Sequence, residues 1–295
     1  MCSVIRIGSR ESRLAVVQAE IVKNKIQEIA PQTEVEIVTM KTTGDQILDQ
    51  SLEKIGGKGL FVKELDLALG EGRIDLAVHS LKDMPAEIPK ELPILAYIKR
   101  EEPRDVLVYR PGETSVPEEG VIGTSSRRRM VQLAKLYPGR RFAGIRGNVQ
   151  TRLAKLEKEG YDATVLAAAG LARLGMRQII GRYFSVDEMI PAAGQGVLAV
   201  QGREGEEFPW AERIDDPDTR ATSLAERQFT AELGGDCTSP AAAFAEVRKE
   251  EIRLTGLFFR ELDGSSFVES ICGEKQKARQ IGELLARRMK KIYGS

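Results

Sequence analysis

VIGTSSRRRMVQLAKL, residues 121–136, is a short apolar strand that runs out through Gly-Thr-Ser-Ser and restarts as a helix on three arginines. A strand that hands over to a helix is the repeating unit of an α/β sheet, and functional groups collect at the strand's C-terminal end. The same pattern continues on both sides. DVLVYR (105–110) precedes it, while RFAGI (141–145), the helix-like Val149–Lys158 and ATVLAAAG (163–170) follow.

An earlier series has the same character. VIRIGS (4–9) is a strand, and from Ser12 the residues Leu14, Val17, Ile21 and Val22 fall at helical spacing. EVEIVTM (34–40) alternates as a strand, Gly56 to Gly59 make a turn into the helix FVKELDLALGEG, and RIDLAVHS (73–80) is a buried strand ending in the polar loop LKDMP. Two such series predict paired, parallel-rich α/β sheets with a cleft between them. PAAGQGVLAVQ (191–201) reads as a crossover back towards the first unit. After DDPDTR (215–220) the pattern changes to a helix, the antiparallel strands AAAFAEV, EIRLTGLFF and SFVESI, and a final helix over Glu274–Ile292. The expected units are 1–100 with 195–215, then 101–194, then a small α+β domain over 216–295.

The chain has 295 residues, enough for two or three domains, with 42% hydrophobic and 30% charged residues, as in ordinary globular proteins. No apolar run approaches the roughly 20 residues that span a bilayer. MCSVIRIGSRESRLAV lacks the pattern of a secretory signal. Three cysteines, at 2, 237 and 272, make no disulfide framework, so the cytoplasm is the expected compartment. His79 is the only histidine, which argues against most zinc sites.

Charge is balanced overall, at 44 basic and 44 acidic residues, yet Gly120 to Leu156 carries nine Lys or Arg and no Asp or Glu. Seven of the nine are arginines, whose planar forks match carboxylate and phosphate oxygens in pairs. A solvated basic face is one reading. The turn residues in GTSSRRR and RGNVQTR favour the other, in which backbone N–H groups and arginines converge on one anion. Only Tyr137 and Phe142 are aromatic within this stretch, too few to stack nucleic-acid bases. GGKGLF (56–61) and PAAGQG (191–196) match neither a Walker A nor a dinucleotide pattern. An acidic small molecule is the ligand class that remains.

GSRES (8–12), between a strand and a helix, is a candidate anion seat with Arg10 beside it. In HSLKDMP (79–85), Asp83 stands at the end of an apolar strand. It could transfer a proton or stabilise a cation, or it could form a loop salt bridge with Lys82. Cys237, in the loop LGGDCTSP, could be a nucleophile, a covalent attachment point or an exposed thiol, and a metal is not expected there. Cys2 and Cys272 have no such setting.

Taken in order, GSRES, GGKGLFVKEL, HSLKDMP, GTSSRRR, RGNVQTRL, LAAAGLARLG, PAAGQG and the cysteine loop resemble the porphobilinogen deaminase (hydroxymethylbilane synthase) family from residue 4 to about 245. The resemblance implies an α/β fold of two periplasmic-binding-protein-like domains flanking a cleft, plus a small C-terminal domain. It implies a monomeric transferase of tetrapyrrole synthesis that joins four porphobilinogen molecules head to tail with loss of ammonia. A dipyrromethane cofactor, attached through a thioether to Cys237, would serve as primer. Asp83 would be the catalytic carboxylate, assisting loss of the amino group and stabilising the cationic methylenepyrrolenine. Arg10, Ser12, Lys82, Ser126, Arg128, Arg129, Arg146, Arg152 and Arg173 would bind the carboxylates of cofactor and substrate. Lys54, Lys58 and Phe61 would belong to an active-site loop. No metal, nucleic acid or membrane enters this picture.

The chain departs from the family pattern at two places. Arg127 stands where the family usually has Leu, and Asp236 directly precedes the cofactor cysteine, where it should raise the thiol pKa. A competing expectation comes from a different class. Two α/β lobes with an arginine-lined cleft would equally suit a binding protein for small carboxylates, although such proteins are normally exported and would need neither Asp83 nor Cys237.

Overall fold

The computed structural model describes residues 4–46, 62–234 and 240–294. Strand β1 (Ile5–Arg10) leads through helix α1 (Arg13–Ile29) to the parallel strand β2 (Val35–Met40). After α2 (Thr43–Gln46) and α3 (Lys63–Gly70), β3 (Leu76–Ser80) pairs parallel to the other side of β1, and β4 (Ile94–Ile98) ends this stretch. Helix α1 turns Ala19, Val22 and Ile26 onto Ile5, Ile7, Leu76 and Val78; of the residues read at helical spacing, Val22 is in this core, Ile21 packs at its edge, and Leu14 and Val17 are only partly buried.

The chain then crosses into a second sheet. It is built from β5 (Asp105–Tyr109), β6 (Val121–Gly123), α4 (Arg127–Leu136), β7 (Arg141–Ala143), α5 (Val149–Lys158), β8 (Ala163–Ala167), α6 (Ala168–Arg173) and β9 (Arg182–Tyr183). It returns to the first sheet as β10 (Leu198–Gln201), followed by α7 (Ala211–Ile214). The strand orders are β2-β1-β3-β10-β4 and β7-β6-β8-β5-β9.

Four of the five strands in each sheet share a direction, as the expected parallel-rich sheets require, and one strand runs against its neighbours. β10 is antiparallel to β3 and β4, and β5 is antiparallel to β8 and β9. The cause is the route of the chain. Both crossovers leave one sheet at the C-terminal edge of its strands and enter the other at that same edge, so the entering strand must run backwards. Antiparallel pairing needs no helical return.

The rest of the chain forms a three-stranded antiparallel sheet of β11 (Ala242–Arg248), β12 (Glu251–Phe259) and β13 (Ser266–Glu274), with α8 (Pro217–Glu232) before it and α9 (Ala278–Tyr293) after it. Phe229 of α8, Ile252 and Leu254 of β12, and Ile281, Leu285 and Met289 of α9 form its core. The final helix starts at Ala278 instead of Glu274, because β13 runs on to Glu274 and a 3-10 turn intervenes. The fully buried Glu226 of α8 accepts the N–H of Gly194 at 2.7 Å and of Ala245 at 2.8 Å, and pairs with Arg100 at 2.9 Å. One carboxylate thereby ties α8 to both crossovers and to β11. Among the described residues, no helix is long and apolar enough to cross a membrane.

Candidate active site

The strand register shows where the two large sheets meet. Leu198, at the start of β10, pairs with Ser80 at the end of β3, and Asp105, at the start of β5, pairs with Ala167 at the end of β8. The C-terminal strand edges of both sheets therefore lie at the crossovers, where open α/β sheets place their ligands. Three helices begin beside these edges. Ser12 Oγ accepts Ala15 N–H at 3.3 Å at the start of α1, Ser126 Oγ accepts Arg129 N–H at 3.5 Å at the start of α4, and Asn148 Oδ1 accepts Thr151 N–H at 2.9 Å at the start of α5. Such caps contribute about 1 kcal/mol each. None of the three helices has an acidic residue in its first turn, so the partial positive charge at each start is left for an anion.

Within the arginine stretch, Arg128 and Arg129 are buried against Asp105, which is itself fully buried. Arg129 Nε and Nη2 donate to Asp105 Oδ1 at 3.0 and 2.7 Å, and Arg128 Nη2 lies 2.8 Å from Oδ2. Both guanidiniums are also held by backbone: Arg128 Nη1 donates to Ile190 O at 2.7 Å and Arg129 Nη1 to Val165 O at 2.8 Å. Burial pushes the Asp105 carboxyl up, but the two arginines and Lys82 outweigh burial and hold it at about 2.

Lys82 and Asp83 lie in the 3-10 turn Leu81–Asp83 that follows β3. The Lys82 ammonium donates to Gln195 Oε1 at 3.3 Å, while Gln195 Nε2 donates to Pro103 O at 2.6 Å and to Asp105 Oδ1 at 3.2 Å. Burial, with Arg129 and Arg128 adding to it, lowers the Lys82 pKa to about 8 in spite of Asp83 and Asp105. Among the described residues the Asp83 carboxylate makes no hydrogen bond or ion pair, and it acts on Lys82 and Arg152 through space. Arg152 Nε donates to Gly147 O at 2.8 Å, and burial, together with Arg129 and Arg146, lowers its pKa to about 10. Gly147 has φ +117°, and a Cβ there would come within 2.6 Å of Thr151 Cβ, so the RGN turn that presents Arg146 and Arg152 requires glycine.

The fold thus gathers Lys82, Asp83, Arg128, Arg129, Arg146 and Arg152 at one place. Arg10, at the end of β1, is near enough to His79 to disfavour its protonation. Arg173 sits at the return crossover, donating to Gly196 O at 2.6 Å, and burial lowers its pKa to about 10 against the pull of Glu101. Arg127 turns away and pairs with Glu261 at 2.7 Å. Lys54, Lys58, Phe61 and Cys237 lie outside the described residues.

Two residues of the cluster escaped the sequence reading, Asp105 and Gln195. Asp105 opens a strand, and only the reversal of β5 brings a strand's first residue to the C-terminal edge. Gln195 stood inside PAAGQG, read as part of a crossover back towards the first unit. In the fold it packs between the crossovers: Gly196, at φ +88°, leaves no room for a Cβ, which would lie 2.4 Å from Glu101 O.

Comparison with known proteins gives this arrangement a family. Residues 5–209 match the family described as porphobilinogen deaminase, dipyromethane cofactor binding domain, and residues 221–291 match porphobilinogen deaminase, C-terminal domain. The chain belongs to the porphobilinogen deaminase family. It is 51% identical over 285 residues to the porphobilinogen deaminase of Ruminiclostridium cellulolyticum, covering 97% of each chain. To the porphobilinogen deaminase of Acetivibrio thermocellus it is 50% identical over 287 residues, covering 97% of this chain and 98% of that one. The charged cluster falls inside the cofactor-binding region of the porphobilinogen deaminase match, as do both crossovers.

Proposed function

We propose that this chain is a transferase that joins four porphobilinogen molecules head to tail, releases ammonia at each step and gives hydroxymethylbilane, from a dipyrromethane primer held by a thioether to Cys237. One observation carries the reading: where the C-terminal edges of two sheets meet, Asp83 stands beside Lys82 and Arg152 without a hydrogen bond among the described residues, while Asp105 is taken up by Arg128 and Arg129. The donor set suits the primer. Each pyrrole ring bears an acetate and a propionate, and this place offers ammonium, guanidinium and acid-free helix starts.

Bound here, the dipyrromethane supplies the electron-rich pyrrole carbon on which growth begins. Asp83 accepts a hydrogen bond from the aminomethyl group of the incoming porphobilinogen, assists its departure as ammonia, and faces the cationic carbon left behind. The same carboxylate then takes up the proton lost when aromaticity returns. Lys82, Arg146 and Arg152 bind ring carboxylates and orient the reacting carbons, with Arg10, Arg173 and the helix starts at Ser12 and Ser126 holding further rings. Domain units of 1–100 with 195–215, 101–194 and 216–295 fit this division of labour. The enzyme acts as a cytoplasmic monomer on a small molecule, without nucleic acid, membrane or metal.

Intact mass tests the primer. Purified protein should exceed its sequence mass by two linked pyrrole units, and Cys237→Ser should abolish the excess. An unmodified mass in protein that consumes porphobilinogen would overturn the covalent primer.

A further inference from the structure

Burying charge is costly unless it is compensated. Among the described residues, Lys82, Arg128, Arg129, Arg146 and Arg152 interact around two carboxylates, Asp83 and Asp105. The buried Glu226 answers a single arginine and fills its remaining capacity with backbone N–H groups, as a purely structural ion pair does. Asp105 instead takes two arginines and an amide, so its carboxylate is spent on holding side chains of the cluster rather than backbone.

Resting on the function proposed above, we propose that Asp105 and Gln195 are positioning residues for the reaction: Asp105 aligns Arg128 and Arg129, and Gln195 locks Lys82 into the same frame. The amide has the polarity for both of its partners. Its oxygen accepts from the Lys82 ammonium and its nitrogen donates to the Asp105 carboxylate. A carboxylate at 195 would cancel the charge of Lys82 and repel Asp105, and an apolar side chain would bond to neither. Because Lys82 follows β3 of the first sheet while Asp105 opens β5 of the second, this one amide sets cations from the two sheets in register.

The test compares wild type, Gln195→Met, Asp105→Asn, Lys82→Met and the Gln195→Met/Lys82→Met double variant, each checked for its cofactor by intact mass and for folding by thermal melting. Gln195→Met should raise KM for porphobilinogen about tenfold, the scale of one charge-assisted hydrogen bond, and should lower Tm while still melting cooperatively, since Pro103 O loses a buried donor. In the Lys82→Met background the same substitution should have no further effect, since it acts through Lys82. Asp105→Asn should raise KM as well, and Asp105→Glu, which restores the charge, should recover part of the loss. A KM within twofold of wild type in Gln195→Met, or effects that simply add in the double variant, would overturn the proposal. Should Asp105→Asn fail to fold, the Gln195 cycle decides alone. A crystal structure of Gln195→Met is a readout independent of turnover: Lys82 in its wild-type place would sink the idea. Wild type that fails to consume porphobilinogen would instead refute the reaction, leaving that structural readout standing.

Discussion

Arg127 Nη2 reaches both oxygens of the Glu261 carboxylate, at 2.8 and 2.7 Å, across 134 residues of chain. Its guanidinium also lies over the Phe259 ring, 5.9 Å from the centroid, and Lys135 of the same helix donates to Ser266 O at 3.1 Å. Helix α4 therefore faces two ways, with Arg128 and Arg129 turned to the buried cluster and Arg127 turned to the hairpin between β12 and β13. Exposed pairs of this kind contribute about 0–1 kcal/mol and are screened by salt. Arg127→Leu should lower stability by less than about 1 kcal/mol, with the difference vanishing in high salt and KM unchanged. A KM shift as large as that expected for Gln195→Met would place Arg127 in the ligand site.

Asp83→Asn keeps the size of the side chain and removes the charge that faces the departing ammonia. Circular dichroism and intact mass should match wild type, while turnover should fall by about 10²–10⁴-fold, the usual contribution of a positioned acid–base group. Retention of wild-type rates would remove Asp83 from the chemistry.

His79 is the only histidine, so its imidazole gives an unambiguous NMR signal. Burial, aided by Arg10 and opposed by the 3.0 Å contact with Gln201 Oε1, lowers its pKa to about 4. The folded state thus holds the neutral ring and the unfolded state takes up the proton first. Its stabilising contribution is complete above about pH 6.5 and is lost as pH falls towards 4, by roughly 3 kcal/mol at most. Denaturant midpoints should fall across that window in wild type and fall less in His79→Gln. A ring that titrates near 6.5 in the folded protein would refute the assignment.

Gly282 brings α9 against α8 closely enough that a Cβ would lie 2.3 Å from Ala225 O. Backbone cannot yield as a side-chain tip can, so Gly282→Ala should destabilise the C-terminal unit by about 1–3 kcal/mol. Chemical denaturation of the two proteins measures it, and equal midpoints would show that the helices can separate without cost.

Local pattern carried much of this structure. The two helices α4 and α5 end where their periodicity and turn residues place them, and Lys82, Asp83, Arg128, Arg129, Arg146 and Arg152 lie together, whereas Arg127 does not join them. Strand direction was the part beyond reach. DVLVY is equally apolar read either way, so nothing local says that β5 runs backwards and carries Asp105 to the site. Gln195 was hidden for a related reason, because its three partners come from segments about 90 or more residues away. Arg127 could not be distinguished by charge from its neighbours, and only the hairpin of a distant strand pair reveals where it points.

The two reversed strands also govern how the chain can be made. β3 and β4 are not partners; β10 lies between them and bonds to both. During synthesis the first sheet therefore waits, split open, until the whole second sheet has been translated and Gln201 has emerged. The N-terminal third cannot mature as an autonomous folding unit, however strand-like its sequence. The crossovers that bring Asp105 and Gln195 together thus also impose an order of events: the second lobe is complete in the nascent chain before the first one can close.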